Sequence, residues 1–206
     1  MIQETLKKVA AGQDLTYDEA YASMDEIFSG QVPGETTAGY LTALHMKGET
    51  LDEITASANG MRDHAESLPH DGIDVLEIVG TGGDCANSFN ISTTSGIVAA
   101  AAGVPIAKHG NRSVSSKSGA ADVLEALGVN ISISPEKMGK VLAECNMSFM
   151  FAQVYHKAMK YAGPVRKALG IPTVFNILGP LTNPAKAQMQ ICLLYTSDAA
   201  DDSLRV

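Results

Sequence analysis

The sequence predicts a small N-terminal helical domain joined to a larger, mostly parallel α/β sheet domain. Three observations carry that expectation. The first seventy residues place apolar side chains three and four apart and contain no strand-like run. At Val75 the pattern changes to a short apolar run that ends in glycines, as a buried strand entering a loop does. From there, strand-like and helix-like stretches alternate at the spacing of right-handed crossover units.

Within the helical part, Thr16-Tyr17-Asp18-Glu19 is a capping box, and Ala20, Tyr21, Met24, Ile27 and Phe28 follow at helical spacing. A third helix starts after Pro33-Gly34, carries Thr37, Tyr40, Leu41 and Leu44 on one face, and stops at Gly48. Thr50-Leu51-Asp52-Glu53 repeats the capping box. The helix it opens is expected to pack through Leu51, Ile54, Ala58, Met61, Ala65 and Leu68.

The α/β part opens with the strand over 75–79. It continues with a helix over 92–102, a strand over 104–107, a helix over 120–127 closed by Gly128, and a strand over 129–133. Ser134-Pro135 places serine at the N-cap and proline at the first helical position of a helix that runs to Cys145. A strand over 148–153 and a helical stretch over 156–170 follow, and 171–184 reads as irregular.

Of the 206 residues, 45% are hydrophobic and 18% charged, enough for a sizeable core. No run of eighteen apolar residues offers a membrane span, and the N-terminus MIQETLKKVAAGQ carries acid and amide where a signal peptide needs an apolar core. Cys85, Cys145 and Cys192 stand far apart and make no metal or redox pair, so a reduced, cytoplasmic protein is expected. Twelve acids and four bases make residues 1–70 acidic, whereas 71–192 hold eight acids and ten bases. With no dense Lys/Arg stripe, nucleic acid is not an expected partner, but a small anion is compatible with the charge.

Three segments fall on the carboxyl edge of the expected sheet, where ligands of open α/β sheets collect. Gly80-Thr81-Gly82-Gly83-Asp84 ends the first strand, and its glycines let successive N–H groups converge on an anion. It is neither a P-loop nor a dinucleotide fingerprint. Asp84 would repel a phosphate, but it suits sugar hydroxyls or a water-bridged metal. Asn90-Ile91-Ser92-Thr93-Thr94-Ser95 opens the next helix with hydroxyls at its positive end. Lys108-His109-Gly110-Asn111-Arg112-Ser113-Val114-Ser115-Ser116-Lys117-Ser118-Gly119 adds bases and serines. Over 85–121, 37 residues in a row contain no Asp or Glu, although 23 acids are spread through the chain. An extended phosphate or diphosphate ligand explains that exclusion. No nucleophile–base pair and no zinc motif is present, so positioning and charge stabilisation would carry the reaction. That suits displacement of pyrophosphate from a sugar with Mg²⁺ on the leaving group.

GTGGD at 80–84, NIST at 90–93, KHGNRSVSSKSG at 108–119, ADVLEALG at 121–128 and FNILGPLTNP at 175–184 together resemble the anthranilate phosphoribosyltransferase family of tryptophan biosynthesis. The resemblance is colinear from about Leu15 to Gln190. It implies a helical domain over 1–70 and a nucleoside phosphorylase/phosphoribosyltransferase-like α/β domain over 71–192, with part of 156–185 packing back on the helices. It also implies phosphoribosyl transfer from phosphoribosyl pyrophosphate to anthranilate, a Mg²⁺ cofactor, and a homodimer formed through the helical domain. Gly80, Gly83, Asp84, Ser88, Asn90, Ile91, Ser92 and Thr93 would hold the donor. So would Lys108, His109, Gly110, Asn111, Arg112, Ser113, Val114, Ser115, Ser116 and the position of Ala120. Ser92 would ligate magnesium, and Gly80, Asn111, His156 and Arg166 would bind the acceptor. Ala120 departs from the family's small hydroxyl or thiol residue at that place.

After about Gln190 the sequence leaves the family pattern, and 193–206 is expected to be a non-native tail that resembles translated adapter sequence. The family's Asp-Glu magnesium pair would lie beyond this chain, so the chain by itself is expected to be inactive. Two other readings stay open at this level: a pyrimidine nucleoside phosphorylase-like enzyme, and a non-catalytic relative that binds nucleic acid.

Overall fold

The computed structural model describes residues 1–80, 90–112 and 119–193. The chain divides into two compact units, one made of Met1–Ala65 with His156–Thr182, the other of Glu66–Tyr155 with Asn183–Val206.

The first unit is helical. It contains α1 (Ile2–Ala10), α2 (Tyr17–Phe28), α3 (Gly34–Lys47) and α4 (Leu51–Asp63), then α9 (Met159–Leu169), α10 (Phe175–Leu178) and a 3₁₀ turn over Gly179–Leu181. Both capping boxes form, with Thr16 accepting from Glu19 N–H and Thr50 from Glu53 N–H. The core collects Met24, Ile27, Phe28, Tyr40, Leu41 and Leu44 with Ala162, Val174 and Leu178 from the later segment. Burying a Leu or Met side chain stabilises by roughly 1.5–3 kcal/mol relative to leaving it exposed.

The face that α4 buries differs in part from the expected stripe. Leu51 is 78% exposed and the helix ends before Ala65 and Leu68, while Glu53, Ala56, Ser57, Ala58 and Gly60 are buried. Small residues let α4 lie close against α2, and a Cβ on Gly60 would stand 3.2 Å from Met24 Cβ. Ala58, Ile54 and Met61 of the expected stripe do pack against this core, but the closest contact with α2 is made by small residues outside the stripe.

The second unit holds a four-stranded sheet in the order β3-β2-β1-β4, from β1 (Leu76–Gly80), β2 (Ile106–Gly110), β3 (Met147–Phe151) and β4 (Met189–Leu193). All three pairings are parallel, so all four carboxyl ends share one edge. The connecting helices are α5 (Ile91–Ala101), α6 (Ala120–Ala126), α7 (Pro135–Cys145) and the single turn α8 (Ala152–Tyr155). Ile78 and Ile106 pack with Ala100 of α5, whereas Ala107 and Met150 pack with Met138 and Leu142 of α7. Alternate residues of one strand thus serve opposite faces of the sheet.

Two sequence expectations fail here. Residues 129–133 form no strand; Val129 is exposed, Ile131 alone plugs the cluster around Phe149 and Phe151, and Ser132 N–H bonds the Asn130 side chain. The apolar alternation there anchors a loop to the core. Residues 171–184 are not wholly irregular, because Phe175 and Leu178 turn inward on α10. Of the stretch expected to form a tail over 193–206, Leu193 ends β4 opposite Gly80 and the rest lies outside the described residues.

Glu53 ties the start of the helical unit together. Its carboxylate accepts the Leu15 N–H at 2.9 Å, the Thr50 N–H at 2.8 Å and Lys47 Nζ at 2.9 Å, and it is fully buried. Burial pushes its pKa up, but the two N–H donors and Lys47 outweigh burial and hold it below 4.5. A carboxyl depressed by folding stabilises above its unfolded value and loses that stability as pH falls through its folded value. Glu53→Gln is therefore expected to cost about 3 kcal/mol at pH 7. It should also flatten the loss of stability below pH 4.5 seen in urea unfolding, whereas an unchanged acid limb would show that Glu53 is not the group responsible.

Candidate active site

The parallel pairing of Leu76 with Ile106 brings Gly80, at the end of β1, and Gly110, at the end of β2, to the same edge. Each strand is followed by a loop that feeds a helix, α5 after β1 and α6 after β2.

Asn90 is the N-cap of α5. Its side-chain oxygen accepts the Thr93 N–H at 3.3 Å, and its carbonyl accepts the Thr94 hydroxyl at 2.9 Å. No acid stands in the first turn, so no carboxylate of that turn offsets the partial positive charge of the helix end. Ser92 and Thr93 are buried in that turn, and Thr93 Oγ1 finds no hydrogen-bond partner among the described residues. A buried hydroxyl without a partner costs free energy, which an incoming anion oxygen would recover.

At the end of β2, Gly110 is required by its neighbours. A Cβ there would come within 2.7 Å of the Phe149 ring and 3.2 Å of Ala120 Cβ. This close approach holds the start of α6, with Ala120 at its first position, beside the strand end. The Asn111 carbonyl accepts the Ala121 N–H at 3.3 Å, and Asn111 Oδ1 accepts the Arg112 N–H at 2.8 Å. Arg112 is turned onto α6, where its guanidinium pairs with Glu125 at 2.9 Å and Asp122 at 3.3 Å and lies over the Phe151 ring. Those carboxylates raise its pKa further. Asp122 also accepts the Gly119 N–H at 2.8 Å, which caps α6.

Lys108 and His109 are buried in β2, and Lys108 Nζ donates to the Ile78 carbonyl at 2.7 Å. Burial pulls the ammonium down to about 8, and the Glu77 carboxylate on β1 pulls it back up. Glu77 is fully buried and accepts from the Gln190 amide of β4 at 2.7 Å. Asn183 of the expected LTNP motif donates to the Ala107 carbonyl at 2.9 Å and accepts the Ala185 N–H at 2.8 Å. Sequence reasoning missed Glu77; the signal was a lone acid in the otherwise apolar run Val75-Leu76-Glu77-Ile78-Val79.

His156 and Arg166 belong to the helical unit. His156 is buried, and burial lowers its pKa to about 4 against a raising contribution from the Thr182 backbone, so it is neutral at pH 7. Arg166 lies 5.1 Å from the Phe175 ring centre and donates to Asn176 Oδ1 at 3.5 Å, and burial lowers its pKa. Asn176 also accepts the Thr173 N–H at 3.0 Å. Gly83, Asp84, Ser88, Ser113, Val114, Ser115 and Ser116 lie outside the described residues.

Among the described residues no group of three or more His, Cys, Asp or Glu side chains could hold a metal ion. Ser92 offers one neutral oxygen at the positive end of a helix, which by itself repels a cation. The described side chains therefore do not form a protein-held magnesium site.

Sequence comparison gives two matches in chain order. The helical bundle domain of the glycosyl transferase family matches residues 3–65, and its a/b domain matches residues 72–203. An anthranilate phosphoribosyltransferase of Methanobrevibacter smithii is 63% identical over 195 residues, which is 95% of this chain and 58% of that protein. The anthranilate phosphoribosyltransferase of Thermus thermophilus superposes with a TM-score of 0.86 at 47% identity, covering 91% of this chain and 57% of that one. The Saccharomyces cerevisiae enzyme of the same name, in complex with PRPP and Mg, superposes with a TM-score of 0.86 at 30% identity over 98% of this chain and 60% of that one. The chain thus spans a little under three fifths of the length of the curated relative. A helical segment and a parallel α/β segment, each matched over nearly its full extent and in the same order, leave one assignment: the chain belongs to the glycosyl transferase family.

Proposed function

We propose that the intact protein transfers the phosphoribosyl group of 5-phosphoribosyl 1-pyrophosphate to the amine of anthranilate in tryptophan biosynthesis. The carbon–oxygen bond to pyrophosphate breaks, the carbon–nitrogen bond forms, and the amine loses a proton. The observation that carries this reading is the buried Thr93 hydroxyl, without a hydrogen-bond partner among the described residues, in an acid-free first turn of α5 on the same edge as the end of β2. The name shared by relatives at 30–63% identity supports the same donor and acceptor.

In this reading the donor's phosphates take the α5 N-terminus (Asn90, Ile91, Ser92, Thr93), Gly80, and the β2 end from Lys108 to Arg112 with Ala120. Gly83, Asp84, Ser88 and residues 113–116 complete the assignment. Arg112 would leave its α6 carboxylates to join, an exchange of one exposed ion pair for another and therefore of small cost. The acceptor is assigned to Gly80, Asn111, His156 and Arg166. A guanidinium suits the anthranilate carboxylate, and a neutral imidazole adds no competing charge. Magnesium would arrive on the donor's phosphates, with Ser92 contributing one hydroxyl. Catalysis rests on holding the two reactants together and on the fixed positive field at the leaving group.

No described helix is long and apolar enough to cross a membrane. A cytoplasmic homodimer is part of the proposal. The surface that supports it is the apolar groove between α1 and α3, lined by Leu6, Val9, Ala38, Ala43 and the 81%-exposed Met46. The phosphorylase and nucleic-acid readings draw no support from these relatives.

Loss of anthranilate fluorescence with phosphoribosyl pyrophosphate and Mg²⁺ tests the reaction in the intact protein; no turnover at millimolar substrates would overturn it. Thr93→Val should raise the donor KM about tenfold, while stability in urea stays equal or rises, because a hydroxyl without a partner among the described residues is removed. Unchanged donor KM together with lost stability would make Thr93 structural. Met46→Glu is expected to convert a dimer to monomer in sedimentation velocity, and an unchanged species would exclude the α1–α3 groove as the interface.

A further inference from the structure

We infer that Asn176 is a positioning residue for the acceptor: its amide oxygen, with the Phe175 ring, restrains the Arg166 guanidinium without neutralising it, so that the acceptor carboxylate meets an aligned cation. The inference rests on the reaction proposed above, in which Arg166 takes the carboxylate of anthranilate.

Arg112 and Arg166 are engaged in opposite ways. Arg112 is paired with Glu125 and Asp122, and those carboxylates raise its pKa. Arg166 is half-buried, yet no carboxylate pairs with it among the described residues, and burial moves its pKa downward. A partly desolvated cation without a counter-charge is unfavourable, and an anionic ligand would relieve that.

What holds Arg166 is neutral. It stands in the last turn of α9, which Gly170 ends in the left-handed conformation at φ 62°. The chain turns there and brings Phe175 and Asn176, the first two residues of α10, back to it. The guanidinium carbon lies 5.1 Å from the centre of the Phe175 ring. That ring is itself confined, because Phe175 is buried and meets the Phe28 ring edge-on at 5.9 Å. Asn176 Oδ1 accepts from Arg166 Nη2 at 3.5 Å and from the Thr173 N–H at 3.0 Å. The Asn176 N–H donates in return to the Thr173 carbonyl at 2.8 Å. This reciprocal pair fixes the amide oxygen, and the amide oxygen restrains one nitrogen of the guanidinium. The other nitrogens keep donors in the planar fork that suits a carboxylate.

Capping of the turn would account for the Thr173 bonds alone, and a carboxylate at position 176 would accept the Thr173 N–H as well as the amide does. It would not serve Arg166 in the same way. A carboxylate there would pair with the guanidinium, cancel its charge and repel the acceptor's own carboxylate. The choice of an amide over an acid thus separates a positioning role from a structural one.

The test follows loss of anthranilate fluorescence with phosphoribosyl pyrophosphate and Mg²⁺ in the intact wild-type protein and Asn176→Asp, with urea midpoints measured alongside. Asn176→Asp is expected to keep the urea midpoint and the donor KM of wild type and to raise the anthranilate KM about tenfold. An anthranilate KM equal to that of wild type overturns the positioning role, as does a donor KM that rises by the same factor. Wild-type protein without turnover at millimolar substrates overturns the proposed reaction and the inference with it. If Asn176→Asp fails to fold, Asn176→Ala takes its place, at an exposed position where no core is disturbed. It removes the restraint on Arg166 and should raise the anthranilate KM about fivefold with the donor KM unchanged. An unchanged anthranilate KM in that variant overturns the inference.

Discussion

The candidate site depends on one constraint, the parallel pairing of β1 with β2. Parallel strands need a crossover, and here that crossover is α5, which begins at the loop after Gly80 and returns the chain to Ile106. Reversing either strand would carry Gly110 and Asn111 to the opposite edge and leave the α5 N-terminus without its neighbouring bases. The pairing also brings Lys108 to the Ile78 carbonyl. Ile78 and Ile106, packed with Ala100 of α5, lock the register from one side, and Ala107 and Met150, packed with α7, lock it from the other.

Much of this was legible in the sequence, and the reason is chemical. Capping boxes at Thr16 and Thr50, Ser134-Pro135 at a helix start and Gly48 at a helix end are local signals whose physics needs no distant partner, and each element formed where it was expected. The end of the first strand at Gly80 was marked by glycines, whereas the second strand, expected over 104–107, runs over Ile106–Gly110. Failures occurred where the deciding contact is distant. The segment over 129–133 alternates like a strand, yet β3 pairs with β2 on one side only and no strand from this segment joins it. The buried face of α4 adds Glu53, Ala56, Ser57 and Gly60 to the expected Ala58, residues that pattern reading passes over for large apolar ones.

At the site, sequence reasoning collected the residues but not their engagements. Arg112 appeared simply as a base in a basic loop; the structure occupies it with Asp122 and Glu125, acids that lie just past the acid-free stretch. Lys108 likewise appeared as a phosphate contact of that loop, whereas it is almost fully buried in β2 with its ammonium on the Ile78 carbonyl. Burial takes both Lys108 and Glu77 out of solvent, and no local pattern reports burial. The edge is thus electropositive through a helix end as much as through its bases.

The central claim, that the ends of β1 and β2 and the start of α5 receive the donor, is most directly tested by hydrogen–deuterium exchange of the intact protein with and without saturating phosphoribosyl pyrophosphate and Mg²⁺. The account predicts slowed exchange in peptides that cover residues 76–94 and 106–120, with α2 and α4 unchanged. Slowing confined to the helical unit, or none under saturation, would contradict it.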